Sequence, residues 1–396
     1  MIKRILKKIP VIQLINNVFK RIKNTIIYMV ICSTSKVNKN KAVFESFGGK
    51  GYSCNPKAIS EELHRKMPEM EIVWLFLKPE EKNENVPKYV TKVKKNTLRA
   101  FYEMYTAKFW VDNFQKSKHT PKRKDQIYIQ AWHGDRAFKK ILFDSGSKKN
   151  KDPNRLIEKD ICNLMISGSK FGSDMLQSAF HYNGNIYKYG CPRNDKLIEN
   201  EKEEIVRIKK KLNIDLETKI LLFAPTFRDS SSNKIQEIND INIDETLAML
   251  EFKKGESWVC LVRGHNNTKK LKLSYKNENK VIDVSTYEDM AELLLVADTL
   301  ITDYSSSAGD FVLTKKPVIL FQADREKYQE RDRNFYIPIE NTPFFVAENQ
   351  QELSDWIIGI NDNKAAKNCE KIMEFYGFNE TGKSSEKVVE YIKSKI

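Results

Sequence analysis

From about residue 40 onward, short apolar runs alternate with amphipathic stretches, and this alternation limits the folds open to the chain. Runs at 42–47, 72–77, 109–112, 127–130, 164–167 and 186–189 predict strands, and a second series follows at 220–223, 258–262, 281–284, 299–302 and 318–321. Helical patterns lie between them, for example at 56–66, 97–105, 202–212, 287–296 and 351–360. Strands that are apolar along their whole length need cover on both faces, so the pattern predicts parallel sheets flanked by helices. The charged stretch 201–211 reads as a bridge between two halves of similar size. The expected fold class is α/β, with two doubly wound domains facing across a cleft. Residues 1–35 form a separate basic amphipathic segment, 36–200 the first domain and 201–396 the second. The closing helices, 364–376 and 385–392, are free to cross back.

The chain has 396 residues, enough for two domains that each bury a core. With 40% hydrophobic and 31% charged residues it reads as a soluble globular protein. Its 6 cysteines are scattered, without a C-x-x-C pair, which excludes a disulfide framework or a zinc finger and points to a reducing compartment. The formal charge of +15 calls for an anionic partner. The chain has no helix-turn-helix, zinc-finger or RNP pattern, so nucleic acid is not that partner. Near the N-terminus, Ile2, Ile5, Ile9, Ile12, Ile15, Val18, Ile22 and Ile26 follow helical spacing, with Lys3, Arg4, Lys7, Lys8, Lys20, Arg21 and Lys23 on the remaining positions. Pro10 is expected to bend or interrupt this helix. Its last apolar run, 26–32, is too short to span a bilayer, and no signal-peptide cleavage site follows. Two readings remain: a helix lying on an anionic membrane surface at the cytoplasmic face, peripherally bound, or one packed on the protein's own core.

Three segments carry chemistry. In 301–311 an apolar run ends at Thr302-Asp303, passes through Tyr304 to Ser305, Ser306 and Ser307, and reaches Ala308-Gly309-Asp310. A strand running into a serine-rich helix start presents N–H groups and hydroxyls suited to a phosphate, or simply caps a helix. Trp132-His133-Gly134-Asp135-Arg136 follows one predicted strand, and Arg263-Gly264-His265 follows another. Each places a histidine and a glycine beyond a strand's carboxyl end, the ligand edge of an open parallel sheet. The other histidines, His64, His119 and His181, are read as structural. No HExxH, cysteine cluster or acidic pair suggests a metal, so no metal or other tightly bound cofactor is expected.

Taken together these segments resemble the CDP-glycerol glycerophosphotransferase family, enzymes that prime or polymerise teichoic acids and related capsule polymers. The similarity runs from about Phe44 to Tyr336. It comprises Phe44-Glu45-Ser46-Phe47-Gly48-Gly49-Lys50-Gly51-Tyr52, Asn55-Pro56-Lys57-Ala58, Trp132-His133-Gly134, Gly190-Cys191-Pro192-Arg193-Asn194-Asp195, Ala224-Pro225-Thr226-Phe227-Arg228, Arg263-Gly264-His265, Thr302-Asp303-Tyr304-Ser305-Ser306 with Asp310, Lys316-Pro317, Tyr328, and Asn334-Phe335-Tyr336. The resemblance implies a GT-B architecture with the donor held by the second domain and the acceptor by the first. It implies His133 as general base and His265 on the donor diphosphate. Further donor contacts would be Trp132, Gly134, Asp135, Arg136, Arg193, Pro225, Thr226, Arg263, Gly264, Ser305, Ser306 and Asp310. For Asp310 a ribose or active-site role and a local helix cap both stand open. The family usually reads Trp-His-Gly-Thr-Pro; here Asp135-Arg136 replace Thr-Pro, placing a carboxylate where a diphosphate is expected unless a neighbouring cation balances it. The implied reaction moves a polyol phosphate from CDP-glycerol or CDP-ribitol to a hydroxyl of a polyprenyl-diphosphate-linked saccharide or polymer, releasing CMP. A GT-B glycosyltransferase using a UDP-sugar and a non-catalytic, membrane-associated polymer-binding scaffold are the alternatives.

Overall fold

The computed structural model describes residues 10–81, 86–117, 120–136, 138–146, 157–226, 235–238, 240–264, 270–273, 275–325, 328 and 334–396. The first sheet contains β1 (Asn38–Glu45), β2 (Glu71–Phe76), β3 (Val90–Lys94), β4 (Ala107–Asp112), β5 (Ile127–Gln130), β6 (Leu164–Ile166) and β7 (Ile186–Tyr187). They are parallel, in the order β3-β2-β1-β4-β5-β6-β7. Further along the chain come β8 (Lys219–Ala224), β9 (Ile235–Ile238), β10 (Trp258–Val262), β11 (Lys270–Leu273), β12 (Val281–Asp283), β13 (Thr299–Thr302), β14 (Val318–Phe321) and β15 (Phe345–Ala347). Six of these form a second parallel sheet, β12-β10-β8-β13-β14-β15, while β9 and β11 pair only with each other.

Both sheets wind outward in one direction and then in the other, so strand order reverses between β1 and β4 and again between β8 and β13. Loops leaving a reversal point diverge and open a crevice at the carboxyl edge. The apolar runs explain why each sheet is covered twice. In the first, Phe44, Trp74, Phe109 and Ile129 enter one core while Val43, Leu75, Trp110 and Tyr128 enter the opposite one. In the second, Leu222, Leu261, Leu300 and Leu320 face one way, and Leu221, Phe223, Cys260, Ile301 and Ile319 the other. This is the two-residue period of a pleated strand.

Four strands, β3, β9, β11 and β15, lie outside the predicted set. β3 (Val-Thr-Lys-Val-Lys) is an edge strand with only Val90 and Val93 buried, so its composition reads as polar surface. At the C-terminus, helix Asp362–Tyr376 places Cys369, Ile372 and Tyr376 in the second domain's core. Helix Ser384–Lys393 instead packs Val388, Val389 and Ile392 beside Ile59 and Leu63 of helix Cys54–Lys66 in the first.

Among the described residues a helix runs Pro10–Thr34, with Pro10 at its first position. Proline's fixed φ and missing N–H suit that position. Residues 1–9 lie outside the described set. One face packs Ile27, Tyr28 and Ile31 on the first domain, with Tyr28 meeting the Tyr105 ring edge-on at 5.1 Å. The outer face leaves Val18, Phe19, Ile22, Ile26, Met29 and Val30 exposed, beside exposed Arg21 and Lys23. Among the described residues, no helix is long and apolar enough to cross a membrane.

Candidate active site

The crevices of the two sheets meet in one cleft of about 220 Å3. The first domain contributes Phe47 after β1, Ser53 and Cys54 at a helix start, His133 after β5, and Arg193. Opposite stand Pro225 and Thr226 after β8, Arg263 and Gly264 after β10, and Ser305, Ser306 and Asp310 after β13.

His133 is fixed by its surroundings. Its Nδ1 lies 2.6 Å from the Asn113 carbonyl oxygen at the end of β4. A carbonyl only accepts, so in the neutral ring Nδ1 carries the proton and Nε2 is the acceptor. Phe47 meets the imidazole edge-on at 5.3 Å, and Phe114 stacks on it at 6.2 Å. The preceding residue, Trp132, adopts φ +41°, a strained conformation for a bulky side chain. Its N–H donates to Gln130 Oε1 at 2.9 Å. Its carbonyl and that of Ala131 accept from Asn55 Nδ2 at 3.0 and 2.6 Å. Past His133, a Cβ on Gly134 would stand 3.2 Å from Ser306 Oγ, so glycine lets the two walls approach closely.

Not every anticipated donor contact reaches the cleft. The Trp132 indole packs behind it with Met165, Leu176 and Phe180. Asp135 accepts from Ser167 Oγ at 2.8 Å and from Ser169 Oγ at 2.7 Å, at the cap of helix Lys170–Phe180. Arg136 is fully buried and binds Asp310 at 2.9 Å, the Gly168 carbonyl at 3.0 Å and Glu380, with its guanidinium 4.0 Å above the Phe378 ring. Gly309 makes room for it, because a Cβ there would sit 2.8 Å from the Arg136 Cβ. Trp132, Asp135 and Arg136, expected on the donor, are thus not among the residues that line the cleft. The Asp135 and Arg136 side chains are engaged within the protein, and the Asp135 carboxylate is held by serine hydroxyls.

Asp310 lines the cleft as an ionic hub rather than a helix cap. Arg193 Nε and Nη2 approach its two oxygens at 3.0 Å each, and Asn194 Nδ2 adds a contact at 3.1 Å. Burial opposes its charge, but Arg193 and Arg136 outweigh burial and hold its pKa below the usual carboxylate range. Arg263 is different. Among the described residues no carboxylate pairs with it; its Nη1 donates to the Tyr287 carbonyl. Burial pulls its pKa down, opposed only by Asp289 and Tyr287. The Gly264 N–H donates to Ser285 Oγ at 2.8 Å, and the Thr226 N–H to Asp303 at 2.9 Å, fixing both loops. Ser305 Oγ receives Ser307 Oγ at 2.8 Å where helix Ser307–Phe311 begins. His265 lies outside the described residues.

Sequence reasoning passed over Asn55, Asn113 and Glu380. Asn55 stood within a quoted motif. Nothing in the local sequence marks Asn113 or Glu380. Chemically, a histidine acceptor shares the cleft with an arginine that has no carboxylate partner among the described residues and with a run of serines. This arrangement suits proton removal from an alcohol next to a bound phosphate.

Comparison with known proteins agrees with that chemistry. A family model described as CDP-Glycerol:Poly(glycerophosphate) glycerophosphotransferase matches residues 26–394. The chain is 32% identical over 376 residues to the teichoic acid poly(glycerol phosphate) polymerase of Bacillus subtilis (strain 168), covering 91% of this chain but 49% of that protein. It thus spans about half the length of that relative. It is 33% identical over 378 residues to the teichoic acid glycerol-phosphate transferase of Staphylococcus aureus (strain NCTC 8325 / PS 47), covering 92% and 95%. A solved structure of the wall teichoic acid polymerase TagF, a variant soaked with CDPG, superposes with a TM-score of 0.80 at 29% identity, covering 97% of this chain and 98% of that one.

Proposed function

This chain belongs to the CDP-glycerol:poly(glycerophosphate) glycerophosphotransferase family, and we propose that it transfers glycerol phosphate from CDP-glycerol to a hydroxyl of a lipid-linked or polymeric teichoic-acid-type acceptor. The acceptor oxygen attacks the glycerol-bearing phosphorus while His133 Nε2 takes its proton. A phosphodiester forms, the anhydride P–O bond breaks, and CMP leaves. Such transfer needs alignment and charge stabilisation more than covalent help from the protein. Arg263, the Ser305–Ser306 turn and, on the family resemblance, His265 supply the charge on the donor side. Arg193 completes it from the first domain. In this reading residues 36–200 handle the acceptor and 201–396 the donor.

One observation carries the proposal: a histidine with a fixed acceptor nitrogen and an arginine with no carboxylate partner among the described residues line the same cleft at the reversal points of two sheets. Glycerol is preferred over ribitol because the two relatives quoted above are both named for glycerol phosphate. The outer face of helix Pro10–Thr34, apolar with basic flanks, is proposed to rest on an anionic membrane surface where a polyprenyl-linked acceptor resides. The test is incubation with CDP-glycerol, CDP-ribitol or a UDP-sugar and lipid-linked acceptors, with analysis of the nucleotide released. CMP from CDP-glycerol is expected. Release of a nucleoside diphosphate from the UDP-sugar would identify a glycosyltransferase, and no release at all would favour a scaffold.

A further inference from the structure

The segment Asn55-Pro56-Lys57 lies at the start of helix Cys54–Lys66, and no role in the chemistry above accounts for its asparagine. Asn55 is fully buried. Its carboxamide makes three hydrogen bonds to the segments that carry the two catalytic-side groups of the first domain. Nδ2 donates to the Ala131 and Trp132 carbonyls at 2.6 and 3.0 Å, and Oδ1 accepts from the Arg193 N–H at 3.0 Å. The orientation is unambiguous: a flipped amide would set its oxygen against two carbonyls and its NH2 against an N–H. The two carbonyls it holds belong to the peptides immediately before His133, one of them at the strained φ of Trp132.

A residue at φ +41° relaxes toward ordinary geometry unless its surroundings prevent it. Relaxation here would rotate the peptide from which His133 projects and carry Nδ1 away from the Asn113 carbonyl. We infer that Asn55 is a positioning residue for the proposed reaction. It stores the strain at Trp132, keeps His133 in the Nδ1–H form, and fixes the spacing between that base and Arg193. The Arg193 guanidinium keeps its independent hold on Asp310, so loss of Asn55 acts on the base more than on the anion site. This inference rests on the phosphotransfer reading for its kinetic arm alone.

The experiment compares wild type, Asn55→Ala and Asn55→Asp for CMP release, for CDP binding by calorimetry, and for the His133 tautomer by 15N NMR of histidine-labelled protein. Asn55→Asp preserves volume and the oxygen facing Arg193 but puts a second acceptor against the two carbonyls. For folded variants, the expected result is a loss of about 100-fold in kcat, the scale of an ångström-sized misplacement. CDP affinity should stay within about threefold. The His133 signal should pass from a single Nδ1–H form to a mixture. A folded Asn55→Ala protein with kcat within about threefold of wild type and an unchanged tautomer overturns the inference. Loss of fold in both variants overturns it too, in favour of a purely structural role. A wild type that releases no CMP removes the phosphotransfer reading instead, and the tautomer measurement then judges Asn55 on its own.

Discussion

A histidine can serve as a base only if its acceptor nitrogen faces the substrate, and the Asn113 carbonyl decides this for His133. Replacing His133 with alanine should lower CMP release by about 100- to 10,000-fold while CDP-glycerol still binds; turnover near wild type with saturating acceptor would remove His133 from the chemistry. The Asp310 carboxylate presents a different dependence. Asp310→Asn leaves Arg136 and Arg193 buried with less counter-charge. It should cost about 3–5 kcal/mol in urea unfolding, the usual penalty for breaking a buried pair from one side. Since the folded pKa of Asp310 lies below its unfolded value near 3.9, its contribution is full above that value and fades as pH falls through the lower folded one. Wild type and Asp310→Asn should therefore converge in stability only in strong acid. Sequence proximity does not place Asp135 and Arg136 on the cleft. Both directly follow His133-Gly134, yet the loop turns them into the scaffold, and the partner of Arg136, Glu380, lies 244 residues away. No local pattern encodes such a contact. His133, Arg263 and the serine turn were legible because a strand end is both a local pattern and the place where ligands bind, whereas Arg193 came only from the family resemblance.

At the scale of elements, buried strands announced themselves by continuous apolar runs, whereas the edge strand β3 did not, because half its side chains face water. The short helix Glu158–Ile161 holds a buried carboxyl whose Oε1 accepts the Lys116 N–H at 2.6 Å and whose Oε2 has no hydrogen-bond partner among the described residues. Burial first, then the Asp112 charge, pushes its pKa up to about 7, against the opposing Lys116 amide and charge. The folded state therefore keeps a proton on Glu158 at pH values where the unfolded chain has lost it. The associated stability is complete below about pH 4 and disappears as pH rises through about 7. Glu158→Gln should leave unfolding unchanged at acidic pH and stabilise by about 2 kcal/mol at pH 8; equal effects at both values would contradict the assignment. The helix Pro10–Thr34 carries a second prediction. Serine at Phe19, Ile22 and Ile26 removes exposed apolar surface and leaves the Tyr28 face intact. Sedimentation with anionic vesicles should fall at least about tenfold while CMP release with a water-soluble acceptor holds. Unaltered vesicle binding would assign the membrane contact elsewhere.

Across the whole molecule, the two sheets could be read from the sequence, whereas the way they are clasped could not, because the clasp joins residues more than two hundred positions apart. Lys57 of the first domain reaches Asp289 and Glu292 of the second at 2.7 Å each. Tyr52 donates its N–H to Glu288 at 3.2 Å. Burial opposes the Lys57 charge, but Asp289, with Glu61 and Glu292, more than offsets it, and Asp289 is correspondingly held well below the carboxylate range despite its own burial. Glu288 and Asp289 also line the cleft, so the clasp and the donor pocket share a wall. Separating the domains would strip two nearly buried carboxylates of Lys57. Lys196, at 3.7 Å from Asp289 and 3.9 Å from Glu292, would leave with the first domain as well, so Arg207, at 3.1 Å from Glu292, is the cation of the second domain that stays. The ion pair thus helps hold the two lobes in the arrangement that brings Arg193 and Arg263 to one cavity. A protein that is closed for only part of the time binds its donor with affinity reduced by that fraction. Lys57→Met should accordingly raise the KM for CDP-glycerol about tenfold with a smaller change in kcat, and small-angle scattering of the free protein should report a larger radius of gyration. Adding Asp289→Asn and Glu292→Gln to the same variant removes the stranded charges and should recover stability without restoring the original KM, because neutral groups relieve the repulsion but rebuild no clasp. A triple variant that regains both would mean the carboxylates, rather than their bond to Lys57, control how the lobes meet.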